Sequence, residues 1–178
     1  KSALQLQAEC EERAKWEDGS CEDGRLVFGV DILDWLIKGI LSREALFLYG
    51  SRACNSLVQR LCVKAAETGS KVIFVDGANS LNPYHIAQIC QQGYRSNPEY
   101  VLDNILVARS FTCHQLANLL LDVLPRLVER ENPTLIVVTD VLSLYEEEEV
   151  SKVEAQVTFR RVVDSILEYV KSEGRSVV

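Results

Sequence analysis

Ala45-Leu-Phe-Leu-Tyr49 is a short apolar run, Gly50-Ser-Arg-Ala-Cys-Asn-Ser56 a polar loop, and Leu57-Val-Gln-Arg-Leu-Cys-Val-Lys-Ala-Ala66 an apolar-periodic run. A strand, a glycine-led loop and a helix in that order form the setting of a phosphate-binding loop. Such a loop needs glycines so that successive backbone N–H groups can wrap the phosphates. It also needs a Lys for the outer phosphate oxygens and a Ser or Thr hydroxyl for magnesium. Here Gly50 is the loop's one glycine, and no Lys occurs between Lys38 and Lys64. Asn55-Ser56 stands where Lys-Ser/Thr would be expected. The loop's one cation is Arg52, whose planar fork differs from a compact ammonium. The architecture of a nucleotide site is expected here without its chemistry, with Gly50, Ser51, Arg52, Asn55 and Ser56 as vestiges.

Outward from this loop the chain alternates between two periodicities. Gly29-Val-Asp-Ile-Leu-Asp-Trp-Leu-Ile-Lys-Gly39 places apolar residues at helical spacing before a capping glycine. Strands are expected at 45–49, 72–75, 104–108 and 134–138, with a fifth beginning at 176. Helices are expected over about 56–67, 83–92, 114–128, with a kink or break at Pro125, and 150–172. Val72-Ile-Phe-Val75 is a continuous β-branched and aromatic run, as in a strand buried on both faces. Strands separated by helices imply a mostly parallel, doubly wound α/β sheet with helices on both faces. Ligands of such sheets sit at the carboxyl ends of the strands, so Gly50, Asp76 and Asp140 should converge there.

Composition narrows the class. With 47% hydrophobic and 25% charged residues, the chain has the balance of an ordinary globular domain. The formal net charge of −7 argues against a broad nucleic-acid footprint, which needs a basic face. No apolar run reaches the roughly 20 residues of a membrane span. The six cysteines include no Cys-x-x-Cys pair, which excludes the usual zinc spacings, and the expectation is reduced thiols in an intracellular protein, cytoplasmic or nuclear. No metal site is expected, because His85 and His114 have no ligand at suitable spacing. Residues 1–25 are expected to form an N-terminal arm, and 26–178 a core domain truncated at its C-terminal side.

From Phe28 to Val178 the order of motifs resembles the RecA-like recombinase core, in its archaeal and eukaryotic RadA-like branch. Gly29 to Asp34, Val72-Ile-Phe-Val-Asp76 followed by Pro83, and Leu135-Ile-Val-Val-Thr-Asp140 match its motifs in order. The most specific stretch is Val101-Leu-Asp-Asn-Ile-Leu-Val-Ala-Arg-Ser-Phe-Thr-Cys-His-Gln115. The resemblance implies a P-loop NTPase fold, with Asp140 as the Walker B carboxylate. Relatives carry a water-activating Glu where this chain has Ala78, and a DNA-contacting loop where this chain has Glu146, Glu147, Glu148 and Glu149. Adjacent carboxylates repel a phosphate backbone.

These departures imply a non-catalytic, pseudo-ATPase paralogue acting through protein–protein contacts in homologous recombination and DNA repair. Its expected partner is a recombinase or another repair factor, docked at Glu146–Glu149 in the sharper reading of that run, and DNA would be reached weakly or through that partner. Asp76, Ala78 and Asp140 then join the vestigial site, both carboxylates satisfied by local hydrogen bonds. No cofactor is expected, and ATP with magnesium enters only if the chain is an ATP-binding protein or ATPase with an atypical loop. A third alternative is a DNA-binding accessory subunit within a heteromer.

Overall fold

The computed structural model describes residues 25–30, 33–34, 40, 44–51, 53–77, 79–94, 96–146, 151–172 and 176–178. Helix α1 (Ala53–Glu67) precedes strand β1 (Val72–Asp76) and helix α2 (Pro83–Ile89), which runs on into a wider π turn at Cys90–Tyr94. Helix α3 (Pro98–Asp103), strand β2 (Ile105–Arg109), helix α4 (Cys113–Asn118), a second π turn (Leu119–Val123) and helix α5 (Leu124–Glu131) follow. The described chain continues with β3 (Leu135–Thr139), a 3-10 turn (Ser143–Tyr145), the long helix α6 (Lys152–Ser172) and β4 (Ser176–Val177).

The strands form one parallel sheet in the order β2-β1-β3-β4. Beyond β4, Ala45 makes a parallel bridge to Val177. The segment expected as a strand over 45–49 is therefore reduced to that bridge, held by Leu46 N–H donating to Val177 O and Val177 N–H donating to Glu44 O. Pairing there extends only as far as the two residues of β4 that run alongside it.

β1 is buried along its whole length, as its unbroken apolar run requires. Its side chains alternate between two cores. Val72 and Phe74, with Leu135 and Val137 of β3, join a cluster containing Leu61 and Cys62 of α1, Ile86 of α2 and Val101 of α3. Ile73 and Val75, with Ile136, join a second cluster with Leu116 of α4, Leu124 and Val128 of α5 and Val162 of α6. The sheet is thus clad by helices on both faces, the doubly wound arrangement expected from the alternating pattern.

Local chemistry explains where the helices differ from expectation. α2 and α3 begin alike: Asn82 accepts from the backbone N–H of Tyr84 and His85, and Asn97 from that of Glu99, with proline next in each case. The Asn-Pro signal at 97–98 is as clear as that at 82–83, yet periodicity alone passes over so short a helix. Gly93 does not end α2; it lies within the π turn. The helix expected over 114–128 with a kink or break at Pro125 is divided into α4, a π turn and α5, with Pro125 in the first turn of α5. Proline offers no N–H to the preceding turn, and widening that turn accommodates its ring. Of the helix expected after Gly29, Leu33 and Asp34 are described and helical, and Asp34 accepts hydrogen bonds from Phe28 N–H at 2.6 Å and Val30 N–H at 2.9 Å.

The tightest point of the sheet lies just past β1. Gly77 N–H donates to Thr139 O at 3.2 Å, and a Cβ on Gly77 would stand 2.7 Å from that carbonyl oxygen. The neighbour is backbone of the central ladder and cannot swing away. Gly77→Ala should destabilise the fold by about 1–3 kcal/mol through this overpacking, seen as a lower urea midpoint at unchanged slope.

Candidate functional site

The carboxyl ends of β1, β2 and β3 meet at Asp76. Its side chain is fully buried, yet every nearby donor is supplied by the chain itself. Asp76 Oδ1 accepts from Ser80 N–H at 2.8 Å, Ser80 Oγ at 3.1 Å and Thr139 Oγ1 at 3.2 Å. Oδ2 accepts from Leu81 N–H at 3.1 Å and lies 3.6 Å from Arg109 Nε. Asp76 O also accepts from Ser110 N–H. The carboxylate therefore closes the 76–81 turn and ties the exits of three strands together. Arg109 lies within the stretch that resembles the recombinase core most closely, but its pairing with Asp76 becomes visible only when β1 and β2 lie side by side in register.

Asp140 is the opposite case. It follows β3, is exposed, and has a left-handed backbone at φ 56°. It makes no side-chain hydrogen bond among the described residues, so the expectation that local hydrogen bonds satisfy it does not hold. A short polar side chain tolerates this conformation better than an apolar one. Asp76 and Asp140 do sit at adjacent strand exits, since Asp76 pairs in register with Thr139.

The loop after the first segment is short. Gly50 has φ 140°, a conformation that favours glycine, and an added Cβ there would lie 3.9 Å from Cys54 Sγ. Ser51 Oγ accepts from Ala53 N–H at 3.2 Å and Ser51 O from Cys54 N–H at 3.0 Å. α1 thus starts three residues before the expected position, at Ala53, so Asn55 and Ser56 lie within the helix instead of capping it. Ser51 makes the bonds that open the helix. Gly50 follows the segment bridged to β4, with β4 and β3 standing between that segment and β1, and no hydrogen bond links it to Asp76 or Asp140 among the described residues. Arg52, Ala78, Glu147, Glu148 and Glu149 lie outside the described residues. Glu146 is exposed and closes the 3-10 turn, its N–H donating to Ser143 O.

A different feature gathers Asn55 and Ser56. They line an open cleft of about 430 Å³ between α1 and α2, together with Gln59, Ser80, Asn82, Tyr84, His85 and Gln88. Ser56 Oγ and His85 Nε2 are 3.1 Å apart across it. No signal in the sequence joins these residues: the two sides come from helices separated by β1 and carry no motif. Among the described residues no group of His, Cys, Asp and Glu is placed to hold a metal ion, and no helix is long and apolar enough to cross a membrane. Four thiols, at Cys54, Cys62, Cys90 and Cys113, are free, and burial pushes Cys62 and Cys90 above the ordinary thiol range.

The contrast between the two carboxylates gives a stability test. Asp76→Ala strands several buried donors and should cost about 3 kcal/mol. Asp140→Ala removes an exposed side chain and should change stability by less than about 1 kcal/mol. Equilibrium denaturation of both variants checks this, and equal losses would mean that Asp76 is not the structural hub described here.

A family model described as Rad51 matches residues 29–168. The match spans the glycine–aspartate turn before the sheet, strands β1 to β3 and most of α6. The parallel sheet with helices on both faces agrees with it, and the chain belongs to the Rad51 family, with a RecA-like core.

Proposed function

We propose that this chain is a non-catalytic member of the Rad51 family that works in recombination and repair by binding other proteins. The family places the general role; the loss of catalysis and the protein contacts are the proposal. What carries it is the loop at 50–56, which has no Lys and one glycine, and which gives way to helix at Ala53 after a turn closed by Ser51. A phosphate chain needs an extended wrap of N–H groups and a cation. Two further observations favour the same reading. Asp76 is occupied by the chain's own donors, and Ala78 stands where relatives carry a carboxylate that activates water. The acidic run Glu146–Glu149 replaces a DNA-contacting loop and suits a basic partner surface better than a phosphate backbone. Affinity capture of the full chain from cell extract, with mass spectrometry, should recover a recombinase or another repair factor. Recovery of none would count against the reading.

One observation favours the alternative of an ATP-binding protein or ATPase with an atypical loop. Asp140 is an exposed carboxylate at the exit of β3, without a hydrogen-bond partner among the described residues, so it is free to organise magnesium. Titration with a fluorescent ATP analogue and magnesium separates the two readings. The non-catalytic reading expects no binding at millimolar nucleotide. Micromolar binding that is lost in Asp140→Ala would establish the alternative.

A further inference from the structure

Helix α6 buries one side and leaves the opposite side bare. Ala155, Val162, Ile166 and Tyr169 are buried, and the last three join the second core. Across the helix from them run Val153, Val157, Arg160, Asp164, Leu167 and Lys171, all exposed. At 3.6 residues per turn these six lie within about 40° of one line along the helix. They follow one another in steps of four, three, four, three and four residues, the spacing of the seam between two packed helices. Val153 is 74% exposed, Val157 58% and Leu167 36%, so the seam presents branched apolar side chains to solvent.

The order of the six residues supplies the second observation: reversed, it is complementary to itself. Against an antiparallel copy centred on Val162, Arg160 opposes Asp164 of the second copy, and Asp164 opposes Arg160 of that copy. Val157 then meets Leu167 on either side of the centre, and Val153 lies along the methylene stem of Lys171. In a parallel pairing each residue would meet itself, setting guanidinium against guanidinium and carboxylate against carboxylate. Within the chain, neither Arg160 nor Asp164 has an ion-pair or hydrogen-bond partner among the described residues.

We propose that the exposed face of α6 is the contact between two copies of this chain, packed antiparallel about a two-fold axis at Val162. The helices lean together on the flank of Gln156 and Val163, which carries no charge, and leave Glu154, Arg161 and Glu168 in water on the other. Such a contact uses the same patch on both copies, so assembly closes at two. One helix pair is a small interface, and the dimer is accordingly weak and concentration-dependent. This contact does not rest on the protein-contact reading above.

Sedimentation equilibrium of the purified full chain at physiological salt, up to millimolar protein, tests it. The mass of wild type should rise from monomer towards dimer and no further. Arg160→Asp leaves two carboxylates at the centre of the face, and Asp164→Arg leaves two guanidiniums. Each variant alone should dimerise about tenfold more weakly than wild type or worse. An equimolar mixture of the two should recover wild-type association, because opposite charges again meet across the axis. Both positions are exposed, and melting curves confirm that the variants fold. Wild type that stays monomeric throughout would overturn the inference and leave the face to a helix of another protein. Single variants that dimerise as wild type does, or a mixture that recovers nothing, would overturn it equally.

Discussion

Three neighbouring strands leave the sheet at the same level, and the Asp76 carboxylate is the group that holds their exits in place. It sits at the end of the most buried strand, receives donors from the following turn and from Thr139 of β3, and faces the Arg109 guanidinium of β2 as an ion pair at 3.6 Å. A buried carboxylate survives only where donors and a cation surround it. The same requirement fixes the turn at 76–81, and with it the start of α2 and one wall of the polar cleft. Gly77 belongs to this constraint, because the strand exits can approach only where no side chain intervenes.

Below that point the sheet is held by apolar packing on two faces. Consecutive residues of β1 point to opposite sides, so Val72 and Phe74 serve one core while Ile73 and Val75 serve the other. Each fully buried side chain of this size contributes about 2 kcal/mol, far more than exposed pairs such as Arg130 with Glu131. The fold therefore depends on packing for its stability and on one polar hub for the geometry of its carboxyl edge.

The two aspartates of that edge have separate fates. Asp76 is bound into structure, and Asp140 is held at the surface in a left-handed turn. The loop that stands where a phosphate-binding loop would sit is a short turn leading directly into helix, and Asn55 and Ser56 contribute to a polar cleft shared with α2.

The sequence by itself determined the alternation of strands and helices, the buried character of β1, the family, and the want of a Lys in the loop. All of these are carried by periodicity and residue identity along short stretches. It also carried the Asn-Pro starts of α2 and α3, though only the first was read as a helix start, and the Pro125 disruption was legible as a kink or break without its π turn. Tertiary structure alone decided that 45–49 pairs at a single point, because the length of a strand depends on its neighbour. It decided as well that Arg109 faces Asp76 and that Ser56 meets His85, pairs brought together by register and by helix packing across 33 and 29 residues of chain. Contacts of that range depend on where the sheet places each element, and no local pattern of residues encodes them.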